Sequence, residues 1–295
     1  MEAFFAAQSP IDLHLHSTHS DGTDAPADVV RAAHLEGVRT MALTDHDTVD
    51  GWAEAAETCR ALGMSFIPGM EFTAQGQRGV HLLAYLFDPN DAPIRAEMDR
   101  IVHGRDSRAQ MIVERLSQDY DLTWEDVEVY SEGGTTGRPH IASAMLDRGH
   151  IGSIDDFFTL VHKSSKYYVP SPAVDVLDGI RLVREAGGVP IIAHPTGRGQ
   201  KKPDGSGHTM PREHLERLLA AGLAGFELDH RENGNNPDGL AVLWEYAREY
   251  DLIVTGSSDY HGTRKPNRPG ENTTSPEMLE RIISEATGTA PVYAG

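Results

Sequence analysis

Seven apolar, strand-like runs recur along this chain, and six of them end in or beside a histidine or a carboxylate. The runs cover 11–16, 40–44, 65–72, 80–86, 189–194, 225–229 and 252–258. Helical periodicity fills most of the gaps between them. Pro26 opens a helix that Gly37 stops, and Trp52 begins another that Gly63 ends. Val174, Leu177, Ile180 and Val183 form an i, i+3 stripe before Gly187 and Gly188, and further helical stretches cover 215–221, 240–249 and 276–286. Strand alternating with helix specifies an α/β fold with a mainly parallel sheet. About seven such units predict a structure resembling a (β/α) barrel, slightly short of eight strands.

The alternation stops between about Asp88 and Pro170. Met98, Ile101, Val102, Ile112, Val113 and Leu116 predict one long helix there. Thr123 with Asp126 reads as a capping pair, Pro139 opens a helix ending at Gly149, and Ser153 with Asp156 caps a fourth. The expected organisation is a barrel from 1–88 and 170–295 carrying a small helical insertion over 89–169. The Gly-, Lys- and Pro-rich tract 197–210 is expected to be a mobile loop.

With 45 acidic against 26 basic residues the net charge is -19, which argues against a long nucleic-acid duplex held on a broad basic face. A small anion can still bind where local cations reverse the sign of the field. One cysteine, Cys59, excludes an internal disulfide framework and suits a reducing, cytoplasmic location. The segment 1–8 lacks the basic start of a signal peptide, and no run is long and apolar enough to span a bilayer, so no membrane association is expected.

In α/β barrels the reactive groups project from the C-terminal ends of the strands. His14 and His16, one strand repeat apart, point to the same side and can grip one cation, with Asp21 in the loop beyond. His46 follows the second run, Glu71 closes the third, His81 opens the fourth, His194 ends the fifth, and Asp259 and His261 follow the seventh. A lone histidine at a strand end is more often hydrogen-bonded structure than ligand. That reading would have to account for all these tips at once. Mixed imidazole and carboxylate donors suit zinc, manganese or iron. His34, His103, His150, His208 and His214 lie away from strand ends, and Cys59 sits on a helical stripe with Trp52 and Ala56 as a packing residue.

His14-x-His16 with Ser-Asp-Gly after it, Thr-Asp-His-Asp at 44–47, Pro-Gly-x-Glu ending at Glu71, Ala-His-Pro at 193–195 and Ser-Asp-x-His at 258–261 carry a resemblance. Together they resemble the polymerase and histidinol phosphatase (PHP) superfamily over most of the chain. The resemblance implies a distorted seven-stranded (β/α) barrel holding two or three divalent metal ions. It implies His14, His16, Glu71 and Asp259 around the first ion, Glu71, His81 and His194 around the second, and Asp21, His46 and His261 around the third. Several family members have histidine where this chain has Asp21.

Thr136-Gly137-Arg138-Pro139-His140 and Gly270-Glu271-Asn272-Thr273-Thr274 are similar to the subgroup that dephosphorylates nucleoside 3',5'-bisphosphates. Related members trim short RNA or DNA oligonucleotides from the 5' end. A phosphoesterase of small phosphorylated nucleotides is therefore expected, with Glu71 and Asp259 central to catalysis. Arg138 and His140, at a helix N-terminus marked by Pro139, are placed to bind phosphate. Arg198, just beyond His194, is a further candidate at the reacting phosphate, in both catalysis and binding. Lys163 and Lys166 could hold a second phosphate or equally be solvated lysines. His230 and Asn233 follow the sixth run without a firm motif, and Asp45 or Asp47 could protonate the leaving oxygen. A histidinol-phosphate phosphatase fits the Gly-Arg-Pro-His segment less well, and a non-catalytic metal-binding module would not require the full ligand set.

Overall fold

The computed structural model describes residues 9–76, 79–131, 136–170, 172–197 and 209–294. Its strands are β1 Ile11–Asp12, β2 Thr40–Leu43, β3 Ser65–Gln75, β4 Gly79–Tyr85, β5 Val174–Asp175, β6 Val189–Ile192, β7 Gly225–Asp229 and β8 Ile253–Gly256. They pair in the order β1-β2-β3-β4-β6-β7-β8, with the two-residue β5 added on β3. A parallel bridge from Leu15 to Tyr260 brings the two ends of that path together, so seven strands form a nearly closed barrel.

The sheet departs from the expected parallel pattern at one strand. β4 runs antiparallel to both β3 and β6, while the other pairs are parallel. The connection between β3 and β4 is too short for the crossover that parallel neighbours require, so the pair forms a hairpin. This reversal sets Thr73 opposite His81, near the start of β4. A side chain near the N-terminal end of this strand thus reaches the same mouth as the C-terminal ends of its neighbours.

Side-chain alternation divides the strands between two apolar clusters. Ile67, Leu83, Tyr85 and Ile191 face inward, where Leu279 and Ile282 of helix Pro276–Glu285 pack with them. Phe72, Leu82, Ile192 and Phe226 face outward, under helices Val176–Glu185, Arg212–Ala221 and Pro237–Glu249. Helices Pro26–Leu35 and Trp52–Ala61 cover the first strands, and Cys59 is packed there as expected.

The helical region contains α-helices Ala92–Leu116, Trp124–Glu128, Arg138–Asp147 and Ile154–Leu160. Thr123 and Asp126 form a capping box, and Ser153 accepts from the Asp156 N–H at 3.2 Å. The long helix belongs to two cores. Ile94, Met98 and Ile101 pack on the barrel, whereas Ala109, Ile112, Val113 and Leu116 pack with the other three helices. Between these stretches Arg105 reaches back to the barrel, where it pairs with Asp47 and donates to Thr73. Asp47 also accepts from the Thr73 N–H and hydroxyl, each at 2.7 Å. At the start of Arg138–Asp147, His140 Nδ1 accepts the Gly137 N–H at 3.0 Å and closes the helix end. Among the described residues no helix is long and apolar enough to cross a membrane.

Two predictions follow from these tethers. Arg105→Ala leaves Asp47 as a buried carboxylate without its ion-pair partner, which costs about 3 kcal/mol or more. A urea titration should show the loss, and an unchanged midpoint would remove the tether from the account. His140 is pushed down to about 4 by burial and by the Arg264 guanidinium, from an ordinary 6.5. Between those values the unfolded chain holds a proton that the folded one excludes, so this contribution is complete above pH 6.5 and falls as pH drops toward 4. His140→Gln keeps a capping acceptor without the titration. The urea midpoint should depend less steeply on pH over 4–6.5 in this variant than in the parent.

Candidate metal centre

Nine side chains anticipated from the strand ends converge on one buried pocket of donors. Glu71 is at the centre, with 1% of its surface exposed. It lies on the inward face of β3, opposite Leu83 in register. Its Oε2 is 3.2 Å from His14 Nε2, 3.1 Å from His16 Nε2 and 3.4 Å from His46 Nδ1. Its Oε1 contacts His81 Nδ1 and is 3.2 Å from His194 Nε2. Asp259 Oδ1 approaches His14 at 3.5 Å, His16 at 3.3 Å and His261 at 3.4 Å. Asp21 Oδ1 lies 3.1 Å from His261 Nε2 and 4.0 Å from His46 Nε2.

Three sets have donor atoms close enough to share an ion: His14, His16, Glu71 and Asp259; His16, Asp21 and His261; and His46, Glu71 and His81. The first matches the set expected from the resemblance. In the other two, His16 joins Asp21 and His261, and His46 groups with Glu71 and His81, its ring lying 3.4 Å from Glu71 and 4.0 Å from Asp21. His194 meets the expected second set through Glu71.

Local backbone geometry aims several of these groups. Regular β1 stops at Asp12, yet Leu15 still bridges to Tyr260, and His14 Nε2 and His16 Nε2 end only 3.0 Å apart. Alternation along β6 would send His194 outward with Ile192. A left-handed φ of 29° at His194 breaks the alternation and turns the ring to Glu71. Asp259 is likewise left-handed, with φ 54°. Such conformations cost energy and are tolerated where the surroundings hold them. At Gly22 the loop folds so tightly on the His16 carbonyl that a Cβ would stand 2.5 Å from its oxygen.

The electrostatics are those of a cation site. Burial raises the pKa of Glu71, but His81, His46 and His14 outweigh it and hold the carboxyl well below its usual range. Asp259 is held low against burial by Lys265, His261 and His14, and Asp21 by His261 and His46. His16 is driven up to about 9, because Asp259 and Glu71 overcome its desolvation. Burial drives His46 the other way, well below its ordinary value. Asp21 Oδ1 and His46 Nδ1 are buried without a hydrogen-bond partner. Ionised carboxylates, crowded imidazoles and orphaned donor atoms together fit divalent metal ions.

Sequence reasoning missed the carboxylate behind this cluster. Glu227, fully buried on β7, places Oε1 2.9 Å from His14 Nδ1 and accepts the His194 N–H on Oε2 at 2.9 Å. It also accepts from Ser257 Oγ. This fixes the imidazole so that Nε2 faces the cluster, as outer carboxylates do for metal-binding histidines. A glutamate between Phe226 and Leu228 in a buried run was the available signal. Asp12 plays a related part, accepting the Ser258 and Gly270 N–H groups at 3.1 and 2.8 Å.

Other expectations are redistributed. Asp45 accepts from Ser17 N–H, Ser17 Oγ and Ser20 Oγ at 2.6–2.7 Å, and Asp47 is held by Arg105, so both serve the loop architecture. Asn233 ties the start of its 3-10 turn to β7 through the Glu227 and Leu228 carbonyls. Lys166 pairs with Asp119 at 2.6 Å, while Lys163 is exposed. Arg138 lies over the Phe158 ring at 5.3 Å, and the charges of Asp21 and Arg264 act on His140. Arg198 and His208 lie outside the described residues, as does most of the predicted loop 197–210.

Comparison with known proteins gives this geometry its context. The chain is 30% identical over 275 residues to a 3',5'-nucleoside bisphosphate phosphatase of Chromobacterium violaceum, covering 88% of each chain. It is 28% identical to a 5'-3' exoribonuclease of Haemophilus influenzae, over 85% of this chain and 89% of that one. The crystal structure of a Bifidobacterium adolescentis protein assigned as a metal-dependent phosphoesterase superposes with a TM-score of 0.86 at 37% identity, covering 94% of this chain and 96% of the other. The sequence profile of the PHP domain matches residues 12–168, a span that takes in the Glu71 hub and most of the donors around it, and the chain belongs to the PHP domain family.

Proposed function

We propose that this protein is a metal-dependent phosphomonoesterase whose substrate is a small nucleotide, and specifically that it removes the 3'-phosphate of a nucleoside 3',5'-bisphosphate. The observation that carries the reading is the convergence of six imidazoles and two further carboxylates around buried Glu71. The C. violaceum relative, a 3',5'-nucleoside bisphosphate phosphatase, supplies the substrate class.

His14, His16, Asp21, His46, Glu71, His81, His194, Asp259 and His261 are the proposed ligands of two or three ions. When bound, divalent cations supply Lewis acidity, which withdraws charge from phosphoryl oxygens and makes water nucleophilic at neutral pH. The protein's part is orientation. Glu71 presents one oxygen to each half of the cluster and holds those halves at a fixed separation. Glu227 keeps His14 in the tautomer that faces inward. Arg138 and His140 are proposed to hold the part of the substrate that does not react. His140 Nδ1 is taken by the helix cap, which leaves Nε2 to carry the proton of the neutral ring and donate it to a phosphate oxygen. Lys166, paired with Asp119, is left out of this assignment.

A second reading, 5'-3' exonuclease action on short oligonucleotides, is favoured by the H. influenzae relative. The two readings differ in the bond broken. Adenosine 3',5'-bisphosphate should yield AMP and inorganic phosphate, and a short oligomer should release mononucleotides slowly by comparison. Faster release from the oligomer would favour the exonuclease.

Chelation should abolish turnover, and adding back manganese, iron or zinc should restore it. Glu71→Ala, checked for retained fold by circular dichroism, should bind fewer ions and lose activity by about 10³-fold or more. Full turnover by this variant or by chelated protein would refute the mechanism. Metal uptake at pH 7 should release protons, because the metal-free cluster holds one on His16. Calorimetry in two buffers of different ionisation enthalpy measures this directly.

A further inference from the structure

Asp259 faces two ways, and its second side is not explained by the metal cluster. Oδ1 looks toward His14, His16 and His261. Oδ2 accepts from Lys265 Nζ at 2.5 Å and lies 3.8 Å from His230 Nε2. Lys265 follows the short 3-10 turn Gly262–Arg264, so the loop that delivers it leaves directly from His261. That loop is anchored on both flanks: Arg264 donates to the Asp21 carbonyl at 2.8 Å, and Asn267 donates to the Ser258 carbonyl at 2.6 Å. The ammonium is therefore held in place rather than free to sweep the surface.

His230 is placed with similar care. Its Nδ1 accepts the Glu232 N–H at 3.2 Å, which puts the proton of the neutral ring on Nε2. The ring is buried against His194, with centroids 5.3 Å apart. Nε2 is nevertheless without a hydrogen-bond partner. A buried N–H donor left unsatisfied is destabilising, so its orientation calls for an acceptor. Beside it, the Lys265 side chain is 32% exposed, and its ammonium has three N–H groups. One goes to Asp259, and Glu232 Oε1 is 4.0 Å away. Among the described residues, Lys265 is the lysine or arginine whose side chain forms an ion pair with a carboxylate of the cluster.

We propose that Lys265 and His230 form an oxyanion site at the β7–β8 edge of the metal centre, and that their N–H groups contact a non-bridging oxygen of the phosphoryl group being hydrolysed. An ammonium repels a further cation at this position, whereas an anionic oxygen accepts from both donors. The position also suits the reaction. Asp259 and His194 bring the site against both halves of the cluster, where negative charge accumulates as phosphorus is attacked. The assignment rests on the phosphoesterase reading of the same centre, and it gives that reading a protein-borne cation at the reacting group.

The test uses full-length, metal-loaded protein and inorganic phosphate as the probe. Lys265→Met, Lys265→Arg and His230→Phe are compared with the parent for metal content, phosphate affinity by calorimetry, and kcat and KM on adenosine 3',5'-bisphosphate. With an unchanged metal complement, Lys265→Met should bind phosphate about tenfold more weakly and lose about 100-fold in kcat, with KM less affected. Lys265→Arg should recover part of both, and His230→Phe should show a smaller loss of the same kind. Unaltered phosphate affinity in metal-replete Lys265→Met overturns the proposal, as does a loss that follows metal content alone. Phosphate binding that depends on Lys265, in a parent protein that hydrolyses neither nucleotide nor oligomer, would uphold the anion site and reject the phosphatase reading instead.

Discussion

The structure is organised around an almost fully buried carboxylate and five imidazoles within reach of its two oxygens. Glu71 alone would be expelled from such a place, since an ionised carboxylate in a dry interior must be paired. His14, His16 and His46 approach one oxygen, and His81 and His194 the other. Apart from the neighbours His14 and His16, these histidines come from different strands of the barrel, so the sheet must close nearly completely for the charge to be matched. The barrel mouth and the donor cluster are in this sense one constraint. Left-handed backbone at His194 and Asp259 is accepted because the alternative is an unmatched buried charge.

Much of this was legible because strand ends are where apolar runs meet polar residues, and a barrel gathers such ends. The residues of the cluster are legible that way; the long helix is legible from its apolar spacing, and the three shorter helices beside it from their caps or an opening proline. What escaped detection has physical reasons. The antiparallel course of β4 depends on the length of the β3–β4 turn, whereas its apolar pattern is the same in either direction. Glu227 and Asp12 act from behind the donors, inside runs that read as ordinary strands. Lys265 reaches Asp259 from a loop without periodicity, where only the fold shows which way a side chain points. Conversely, Asp45 and Asp47 stand beside His46 in sequence, but their oxygens are consumed by loop hydroxyls, backbone N–H groups and Arg105.

The helical region is coupled to the metal centre by a chain of short contacts. Arg105, on the long helix, holds Asp47, and Asp47 holds Thr73, which is paired with His81 across the β3–β4 hairpin. A shift of the helices relative to the barrel therefore pulls on the strand segment that carries Glu71. On the other flank, His140 lies within the influence of Asp21 and Arg264, next to the loop that carries Lys265. Side chains on the helices and donors on the barrel are thus aligned through backbone held on both sides.

This arrangement also reconciles an acidic protein with an anionic ligand. A net charge of -19 weakens long-range attraction for any polyanion, and the effect grows with the length of the chain approaching. Within the cleft the balance is local. Screening confines the surface field to roughly 8–10 Å at physiological salt, whereas buried groups act on one another with much less attenuation. Lys265, Arg264 and Arg105 are all drawn toward the mouth by specific acceptors, namely Asp259, the Asp21 carbonyl and Asp47. Divalent ions would add the larger share of positive charge. A compact ligand with one or two phosphates can be covered by such a patch. A longer polyanion would extend past it onto an acidic exterior, so the charge distribution favours compact anions over long ones.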